Sequence, residues 1–348
     1  MAKSLPAKYI VRLGKFVWTT MWQIMMSQLA PATKAGEYVR PQSQFRNSVQ
    51  VIKDSETDSA PESDQNLGHN YPSAAGRYRL FVGMGCPWAH RTLLVRALKG
   101  LEEAIAVSVV YPSSDEGIWL LKSSFEGCQT VPELYQLAQT GYQGRCTVPI
   151  LWDDQTKQIV NNESAEIIEI LNSQFNLYAK HPQLDLYPEE LKTQCDRWND
   201  KIYATVNNGV YQCGFAQTQA AYEQASDRLF ATLGEIDDFL ADHRYLCGET
   251  LTLADVRLFT TLIRFDIVYF SLFKCSRQRI RDYSHLAEYL KDLYQLEGIA
   301  DTCDLESIKQ DYYGNLFPLN PGGIIPSGLS LEYLHKAHNR HQITQAQI

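Results

Sequence analysis

The stretch from 77 to 91, R-Y-R-L-F-V-G-M-G-C-P-W-A-H-R, restricts the fold more than any other part of the chain. An apolar run ends in Gly83 and Gly85, and Cys86 and Pro87 then open a segment with apolar residues at helical spacing. Proline suits the first turn of a helix, where its missing N–H is not needed. The pattern therefore predicts a strand, a tight loop and a helix that begins at Cys86.

Cys86 would lie at the N-terminus of that helix, where the partial positive charge lowers the pKa of a thiol and favours the reactive thiolate. His90 and Arg91, one turn along, would add to this field. Position 89 is alanine, where a dithiol oxidoreductase would carry a second cysteine, so a disulfide of Cys86 would form with a partner or ligand. The alternative is a buried structural cysteine.

The residues that follow continue an α/β pattern. An apolar run at 104–111 predicts a parallel strand, which completes a βαβ unit. Residues 112–145 are rich in turn residues and aromatics, and we expect a long functional loop there. Two short strands between 147 and 160 fit a hairpin. A cis bond before Pro149 would explain a proline at a strand start and would leave the backbone of Val148 open to a ligand.

A helical pattern follows the hairpin. Glu163 and Ser164 would lie at a helix start, where free N–H groups can hold a ligand carboxylate. The plainer interpretation is a capping pair without a ligand. The coarse helical spans beyond it are 189–209, 218–242, 252–270 and 284–297. The sequence thus predicts an α/β first domain followed by an all-helical second domain.

Composition narrows the classes of function. The formal net charge of −8 argues against a general nucleic-acid surface, and no nucleic-acid motif is present. The 8 cysteines are scattered and form no C-x-x-C pair, so we expect no zinc site or other metal site. Unpaired cysteines suit a reducing compartment, and we expect a cytoplasmic protein.

The first 40 residues differ from the rest, with six cationic side chains against one acidic side chain, Glu37. Their apolar residues fall near helical spacing. Three interpretations are open: a contact with a membrane surface through residues 1–30, a targeting peptide, and an arm packed on the body or on a second subunit. We favour the packed arm. The charge-free run at 16–33 contains too many polar residues for a spanning helix.

Several motifs in one order resemble the S-glutathionyl-hydroquinone reductases, which are Xi-class, omega-like glutathione transferases. The motifs are C-P-W-A-H-R at 86–91, T-V-P-I-L-W-D at 147–153, I-V-N-N-E-S-A-E-I-I at 159–168, V-N-N-G-V-Y at 206–211, G-F-A-x-T-Q at 214–219, L-I-R-F-D-x-V-Y at 262–269, F-K-C at 273–275 and Tyr312-Tyr313. The resemblance spans about residues 36–328 and leaves residues 1–35 outside.

The resemblance implies a glutathione transferase fold, with an α/β thioredoxin-like N-terminal domain and an all-α C-terminal domain. We divide the chain into a basic amphipathic arm at 1–52, a linker at 53–75, a thioredoxin-like glutathione-binding domain at 76–175, a helical substrate domain at 176–310 and an irregular tail at 311–348. Proteins of this kind usually form homodimers, and we expect one here.

The resemblance also implies residue roles. Cys86 would be the nucleophile. Five further residues would hold glutathione, the co-substrate. Val148 would hold its cysteinyl backbone, and Glu163 and Ser164 would hold its γ-glutamyl end. Trp119 and Arg145 would hold its glycyl end. Tyr211 and Tyr312, with Tyr269 nearby, would line a quinol pocket, since phenols can hydrogen-bond quinol oxygens and pack on a flat ring.

The implied reaction is the removal of glutathione from S-glutathionyl-hydroquinones through a mixed disulfide of Cys86 and glutathione. Tyr211 or Tyr312 would assist the protonation of the leaving carbon. Two alternatives remain: a general thioltransferase or dehydroascorbate reductase with the same single cysteine, and a non-catalytic protein that binds a hydrophobic ligand.

Overall fold

The structure is a computed structural model and describes residues 6–51, 71–113, 115–327 and 330–343. The strands are β1 (Val49–Gln50), β2 (Tyr71–Pro72), β3 (Tyr78–Gly83), β4 (Ile105–Pro112), β5 (Trp119–Phe125), β6 (Cys128–Thr130), β7 (Ile150–Asp153) and β8 (Gln158–Asn161). The helices are α1 (Ala7–Leu29), α2 (Pro87–Lys99), α3 (Val131–Ala138), α4 (Ser164–Ser173), α5 (Lys192–Ile202), α6 (Gly209–Gly214), α7 (Gln219–Phe239), α8 (Leu253–Arg264), α9 (Leu286–Tyr294) and α10 (Leu305–Asn315).

A six-stranded sheet with the order β6-β5-β4-β3-β7-β8 forms the first half of the molecule. β3 and β4 pair in parallel across α2, and β7 pairs antiparallel with both β3 and β8. The predicted βαβ unit and hairpin are therefore confirmed. α2 and α4 pack against each other, which brings the starts of two helices to one edge of the sheet.

The expectation of a long loop at 112–145 is wrong. β5 extends the sheet by antiparallel pairing with β4, with Leu121 opposite Val110. β6 and α3 then follow, and α3 begins with a capping box in which Thr130 and Glu133 satisfy each other's backbone N–H groups. The turn residues that suggested a loop lie between these short elements.

The second half is helical, and the four predicted spans between 189 and 297 correspond to helices α5, α7, α8 and α9, whereas α6 lies between two of the spans and was missed. Two π-helical segments, Tyr203–Asn207 and Phe265–Tyr269, continue α5 and α8. The expectation of an irregular tail from 311 is wrong for its first residues, because α10 continues through position 311 to Asn315. Asp304 caps α10 by accepting from the N–H of Ser307 at 2.9 Å, and the prolines and glycines come only after the helix ends.

The N-terminal arm has two parts. α1 confirms the predicted helix, but every residue from Pro6 to Met21 is exposed, so packing of this part on the body is wrong, whereas packing on a second subunit stays a prediction. The segment after α1 does pack on the body: Thr218 donates to the carbonyl of Ala35 at 2.9 Å, and the N–H of Phe45 donates to Asn162 at 3.2 Å.

Most of the predicted linker, 53–70, lies outside the described residues, and β2 at its end pairs in parallel with β1. Among the residues that the structure describes, no helix has the length and the apolar character needed to cross a membrane.

Candidate functional site

Cys86 lies at the start of α2, as predicted, and is half-buried. Its Sγ atom is 3.6 Å from the carbonyl oxygen of Val148. The bond between Val148 and Pro149 is cis, which confirms the prediction, and it precedes β7 in the central part of the sheet. The loop before α2 and the turn before β7 therefore bring the thiol beside a backbone segment of Val148.

Gly83, at the end of β3, and Gly85, in the loop before α2, lie so close to other side chains that a larger residue would not fit at either position. A Cβ atom at Gly83 would collide with the ring of Trp119, and one at Gly85 would collide with the side chain of Asp311. The N–H of Gly85 donates to Asp311 Oδ2 at 2.9 Å, and burial raises the pKa of this carboxyl group to about 6. A residue of α10 thus fixes the loop that leads into Cys86.

Arg264, at the end of α8, holds the same loop from another side and is fully buried. Its guanidinium group donates to the carbonyls of Met84 at 3.0 Å and Gly85 at 2.9 Å, and it lies 2.9 Å from Nδ1 of His90. A buried charge is stable only when its donors are used, as they are here. The helical half therefore positions the Cys86 loop with one cation and one carboxyl group.

Opposing influences act on the Cys86 thiol. Burial is the largest and raises its pKa, because a thiolate loses solvation there. The backbone N–H groups of Trp88 and Ala89 and the charges of Arg40 and Arg264 act to lower it. The net direction is upward, so the expectation that the helix N-terminus makes this thiol more acidic than usual is wrong. The predicted favourable influence exists, but desolvation exceeds it.

His90 and Arg91 do not supply the field that the sequence suggested. Burial and the charge of Arg264 hold the pKa of His90 well below its usual value, so the ring is neutral. Its Nε2 atom is 2.8 Å from the hydroxyl group of Thr302. Arg91 is buried and bonds to Asn207 at 2.6 Å, so it links α2 to the helical half.

Glu163 and Ser164 lie at the start of α4, as predicted. Glu163 caps the helix by accepting from the N–H of Ala165 at 3.2 Å, and the hydroxyl group of Ser43 donates to its other oxygen at 2.9 Å. Ser164 is buried, and its Oγ atom is 3.5 Å from Arg91. The capping interpretation is therefore confirmed for Glu163, and the binding of a ligand at this helix start stays a prediction.

The two residues predicted for the glycyl end are placed differently. Trp119 begins β5, and its ring packs so closely on Gly83 that a Cβ atom there would collide with it. Arg145 is exposed, and its carbonyl oxygen accepts from Tyr142 at 3.2 Å. Within the described chain, no hydrogen bond or ion pair joins the Arg145 side chain to the residues around Cys86.

Three tyrosines from separate parts of the helical half share hydrogen bonds. The hydroxyl group of Tyr312, from α10, is 2.6 Å from that of Tyr211 and 2.9 Å from that of Tyr269. Burial raises the pKa of Tyr269 to about 12 and holds the pKa values of Tyr211 and Tyr312 well above that of an ordinary tyrosine. All three are therefore protonated at neutral pH and can donate. The charge of Cys86 also acts on Tyr211 and Tyr269, which makes them electrostatic neighbours of the thiol.

An aromatic and cationic group completes the surroundings. The ring of Trp88 stacks on that of Tyr211 at a centroid distance of 6.4 Å. The guanidinium carbon of Arg40 lies 3.8 Å from the centroid of Trp88, and its charge acts on Cys86. Tyr38, in the same segment, packs edge-on against Phe215 at 5.4 Å. The segment after α1 therefore contributes to the surroundings of the thiol.

Sequence reasoning missed four of these residues: Arg40, Ser43, Arg264 and Asp311. Arg264 carried a usable signal, because it is a cation that closes an otherwise apolar helical pattern. Asp311 carried a weaker one, since it precedes a tyrosine pair already chosen as part of the pocket. Arg40 was noted only as one of several charges of the arm, and nothing local singled out Ser43.

A sheet that contains this βαβ unit, a cis-proline turn beside a helix-start cysteine and a helical second half together define the glutathione transferase class of proteins. Residues 85–174 match the glutathione S-transferase N-terminal domain family, and residues 219–292 match the C-terminal domain family.

Similarity to individual proteins shows which class of glutathione transferases this chain resembles. The chain is 42% identical to the glutathionyl-hydroquinone reductase YqjG of Escherichia coli over 320 residues, which cover 90% of this chain and 93% of that one. The structure of YqjG with bound glutathione has a TM-score of 0.77 at 43% identity, covering 86% of this chain and 96% of that one. The Xi transferase structure of Phanerochaete chrysosporium has a TM-score of 0.78 at 41% identity, covering 86% and 95%. The chain belongs to the Xi class of the glutathione transferases.

Proposed function

We propose that this protein is an enzyme that uses glutathione to remove glutathione from S-glutathionyl-hydroquinones. The observation that carries the proposal is the position of Cys86, which has the backbone of Val148 beside it and the phenols of Tyr211 and Tyr269 as electrostatic neighbours. The names of the related proteins point to the same substrate class.

In the first step the thiolate of Cys86 attacks the sulfur atom of the glutathionyl thioether. An S–S bond forms and the bond between sulfur and the aromatic carbon breaks, so that the carbon leaves with the electron pair and takes up a proton. We assign the donation of this proton to the hydroxyl group of Tyr211 or Tyr312, which hydrogen-bond to each other. The products are hydroquinone and a Cys86–glutathione disulfide.

In the second step a second glutathione thiolate attacks the glutathionyl sulfur of this mixed disulfide. Oxidised glutathione leaves, and Cys86 returns as a thiolate. One protein thiol is sufficient for the cycle, which agrees with Ala89 at the position of a second active cysteine. The neighbours of Cys86 that favour the charged form are the N–H groups of Trp88 and Ala89 and the cations Arg40 and Arg264.

We propose that glutathione binds along the side of Cys86 that faces the sheet. The backbone of Val148 would pair with its cysteinyl residue, and Glu163 with the N–H groups near Ser164 would hold its γ-glutamyl end. Trp119 and Arg145 are proposed for the glycyl end. The guanidinium group of Arg145 is a suitable partner for the glycyl carboxylate. Because Arg145 is exposed, it would have to reach this carboxylate from the surface of the protein.

The test is the purified full chain with glutathione and the glutathione conjugate of menadiol. Hydroquinone and oxidised glutathione are expected in equal amounts. Cys86→Ser should lower the turnover at least about 1,000-fold, because the attacking thiolate is lost. Cys128→Ser, on the edge strand β6, is the control and should keep the activity.

Absence of hydroquinone with the unmodified chain would refute the proposed substrate. Activity retained in Cys86→Ser would refute the proposed nucleophile. A faster rate on small glutathione disulfides than on the quinol conjugate would assign the protein as a thioltransferase, which uses the same cysteine. Omission of the second glutathione should leave a Cys86–glutathione disulfide that is detectable by mass spectrometry.

We further propose that the protein acts in the cytoplasm as a homodimer. Support for the compartment comes from the 8 cysteines, all of which are unpaired. Support for the dimer comes from the glutathione transferase architecture alone, and light scattering of the purified chain tests it directly.

A further inference from the structure

α1 presents an apolar face that no other described part of the chain covers. Nine large hydrophobic side chains on this helix are 45–70% exposed: Tyr9, Ile10, Val11, Leu13, Phe16, Val17, Trp18, Met21 and Ile24. Soluble proteins rarely leave so large a contiguous apolar surface in water, and such surfaces mark sites of interaction. The proposed reaction requires none of these side chains.

The polar side of the same helix is cationic. Lys8, Arg12 and Lys15 are separated by four and then three residues, so they share one face, and Thr19 continues that face. α1 contains no acidic residue, although the whole chain has a formal net charge of −8. The helix is thus a local positive element on an acidic protein, with apolar residues around the remainder of its circumference.

The helix is attached to the body only at its C-terminal end. Met26 and Ala30 are buried, and the segment that follows is fastened by hydrogen bonds of 3.1 Å and 2.9 Å from Gln217 and Thr218 to the carbonyls of Gly36 and Ala35. A helix of this length extends over about 34 Å. Its first turns are therefore free to meet a surface while the catalytic half stays in place.

We propose that α1 binds the surface of a lipid bilayer that carries anionic headgroups. A helix with bulky apolar and Trp residues on one side and Lys and Arg on the other lies in the plane of such an interface. Phe16 and Trp18 would enter the boundary between headgroups and acyl chains. The cations would approach the lipid phosphates, and each contributes to binding at an anionic surface.

Charge selects the bilayer over a second copy of the chain. Two α1 helices packed through their apolar faces would leave both cationic stripes on the outside, with no acidic residue in either helix to pair them. They would also bury only one strip of an apolar surface that extends around the helix. An anionic interface covers the apolar face and matches the stripe at the same time.

Vesicle sedimentation of the full chain tests the proposal. The protein should sediment with phosphatidylcholine vesicles that contain phosphatidylglycerol, more weakly with pure phosphatidylcholine, and less at high salt. Leu13→Asp/Phe16→Asp should weaken binding roughly 100-fold, because two large apolar side chains no longer leave water. Leu177→Asp/Ile324→Asp is the matched control, since these side chains are 78% and 75% exposed on the body.

The cationic stripe has its own variant pair. Lys8→Gln/Lys15→Gln should weaken binding to the anionic vesicles about 30-fold. Lys122→Gln/Lys336→Gln removes the same charge from exposed positions elsewhere and should leave binding unchanged. Thermal unfolding should be the same for all four variants, because every substituted side chain is exposed.

Three results would overturn the proposal. The first is no sedimentation of the unmodified chain at low salt, and the second is equal binding to neutral and anionic vesicles. The third is a halved molar mass in light scattering for Leu13→Asp/Phe16→Asp but not for its control, which would assign the apolar face to a second copy of the chain.

Discussion

The two sides of Cys86 are built by different means. On the sheet side, polar groups come from backbone turns and from the start of α4; Val148 and Ser164 are buried there and Glu163 is half-buried. On the helical side, three phenols come from α6, the π-helical segment Phe265–Tyr269 and α10; Tyr269 and Tyr312 are buried and Tyr211 is partly buried. The first kind of surface suits a charged peptide, whereas the second suits a flat aromatic ring with hydroxyl groups. The proposal that glutathione and the quinol bind on opposite sides of one thiol rests on this difference.

This contrast predicts that substitutions on the two sides change different kinetic constants. The helical side should act on the chemical step, because its phenols are the proposed source of the proton for the leaving carbon. The sheet side should act mainly on the binding of glutathione, which is held in the same way before and during the reaction.

The largest effect in this comparison is expected for Tyr312→Phe. Its hydroxyl group lies within hydrogen-bond distance of both Tyr211 and Tyr269, so the substitution removes the central member of the network. We expect kcat for the quinol conjugate to fall about 100-fold, as for the loss of a general acid, with KM for glutathione little changed. Steady-state kinetics with each substrate varied in turn measures both constants.

Tyr313→Phe is the matched control for this prediction. Tyr313 is the next residue on α10, is equally buried, and uses its hydroxyl group on Ser271 and on the carbonyl of Ile267 at 3.2 Å. Both variants should lose about 1 to 3 kcal/mol of stability by leaving buried partners unsatisfied. Equal losses of kcat in the two would mean that the phenol network acts only through the fold.

The two sides also differ in what the sequence could reveal. Gly83, Gly85, Cys86 and Pro87 are consecutive or nearly so, and strand, loop and helix preferences act over that range, so the sheet side was predictable from local patterns. The three tyrosines lie 58 and 43 residues apart in sequence. Only tertiary packing joins them, so they were found through the family resemblance and not from their own chemistry.

The wrong predictions also come from the reliance on local sequence patterns, which do not show tertiary packing. The thiol pKa was predicted from the helix N-terminus, a local property, and the outcome was decided by burial under residues from the helical half. Arg264 and Asp311, which hold the Cys86 loop, are also contributed by that half. Residues 112–145 were read as a loop because each of their strands and their helix is short, and a sheet edge needs tertiary pairing to become visible.

A middle-sized effect is expected for Glu163→Gln on the sheet side. Loss of the carboxylate removes the charge that would pair with the amino group of the γ-glutamyl end, so KM for glutathione should rise about tenfold with kcat nearly constant. Glu166→Gln is the control, because Glu166 lies in the first turn of the same helix but pairs with Arg46. A fall in kcat without a change in KM would contradict the division between the two sides.

The smallest effect is expected for Arg40→Gln, at the boundary between the two sides. Arg40 stacks on Trp88 and its charge favours the thiolate of Cys86, so its removal should raise the thiol pKa. Below that pKa, a smaller thiolate fraction should slow alkylation of Cys86 about threefold. Above it, the rate should be unchanged. Iodoacetamide labelling of Cys86 as a function of pH measures the shift.

Arg40→Lys separates the charge from the stacking. Lysine keeps the positive charge but lacks the planar group that lies on Trp88, so the pKa should stay near that of the unmodified chain. Added salt should reduce the difference in the Cys86 thiol pKa between the unmodified chain and Arg40→Gln, because the Arg40 cation is only half-buried and salt screens its charge in part. If Arg40→Lys shifts the pKa as much as Arg40→Gln does, Arg40 acts by holding the Trp88 ring in place, and the field at the thiol comes from α2 and Arg264 alone.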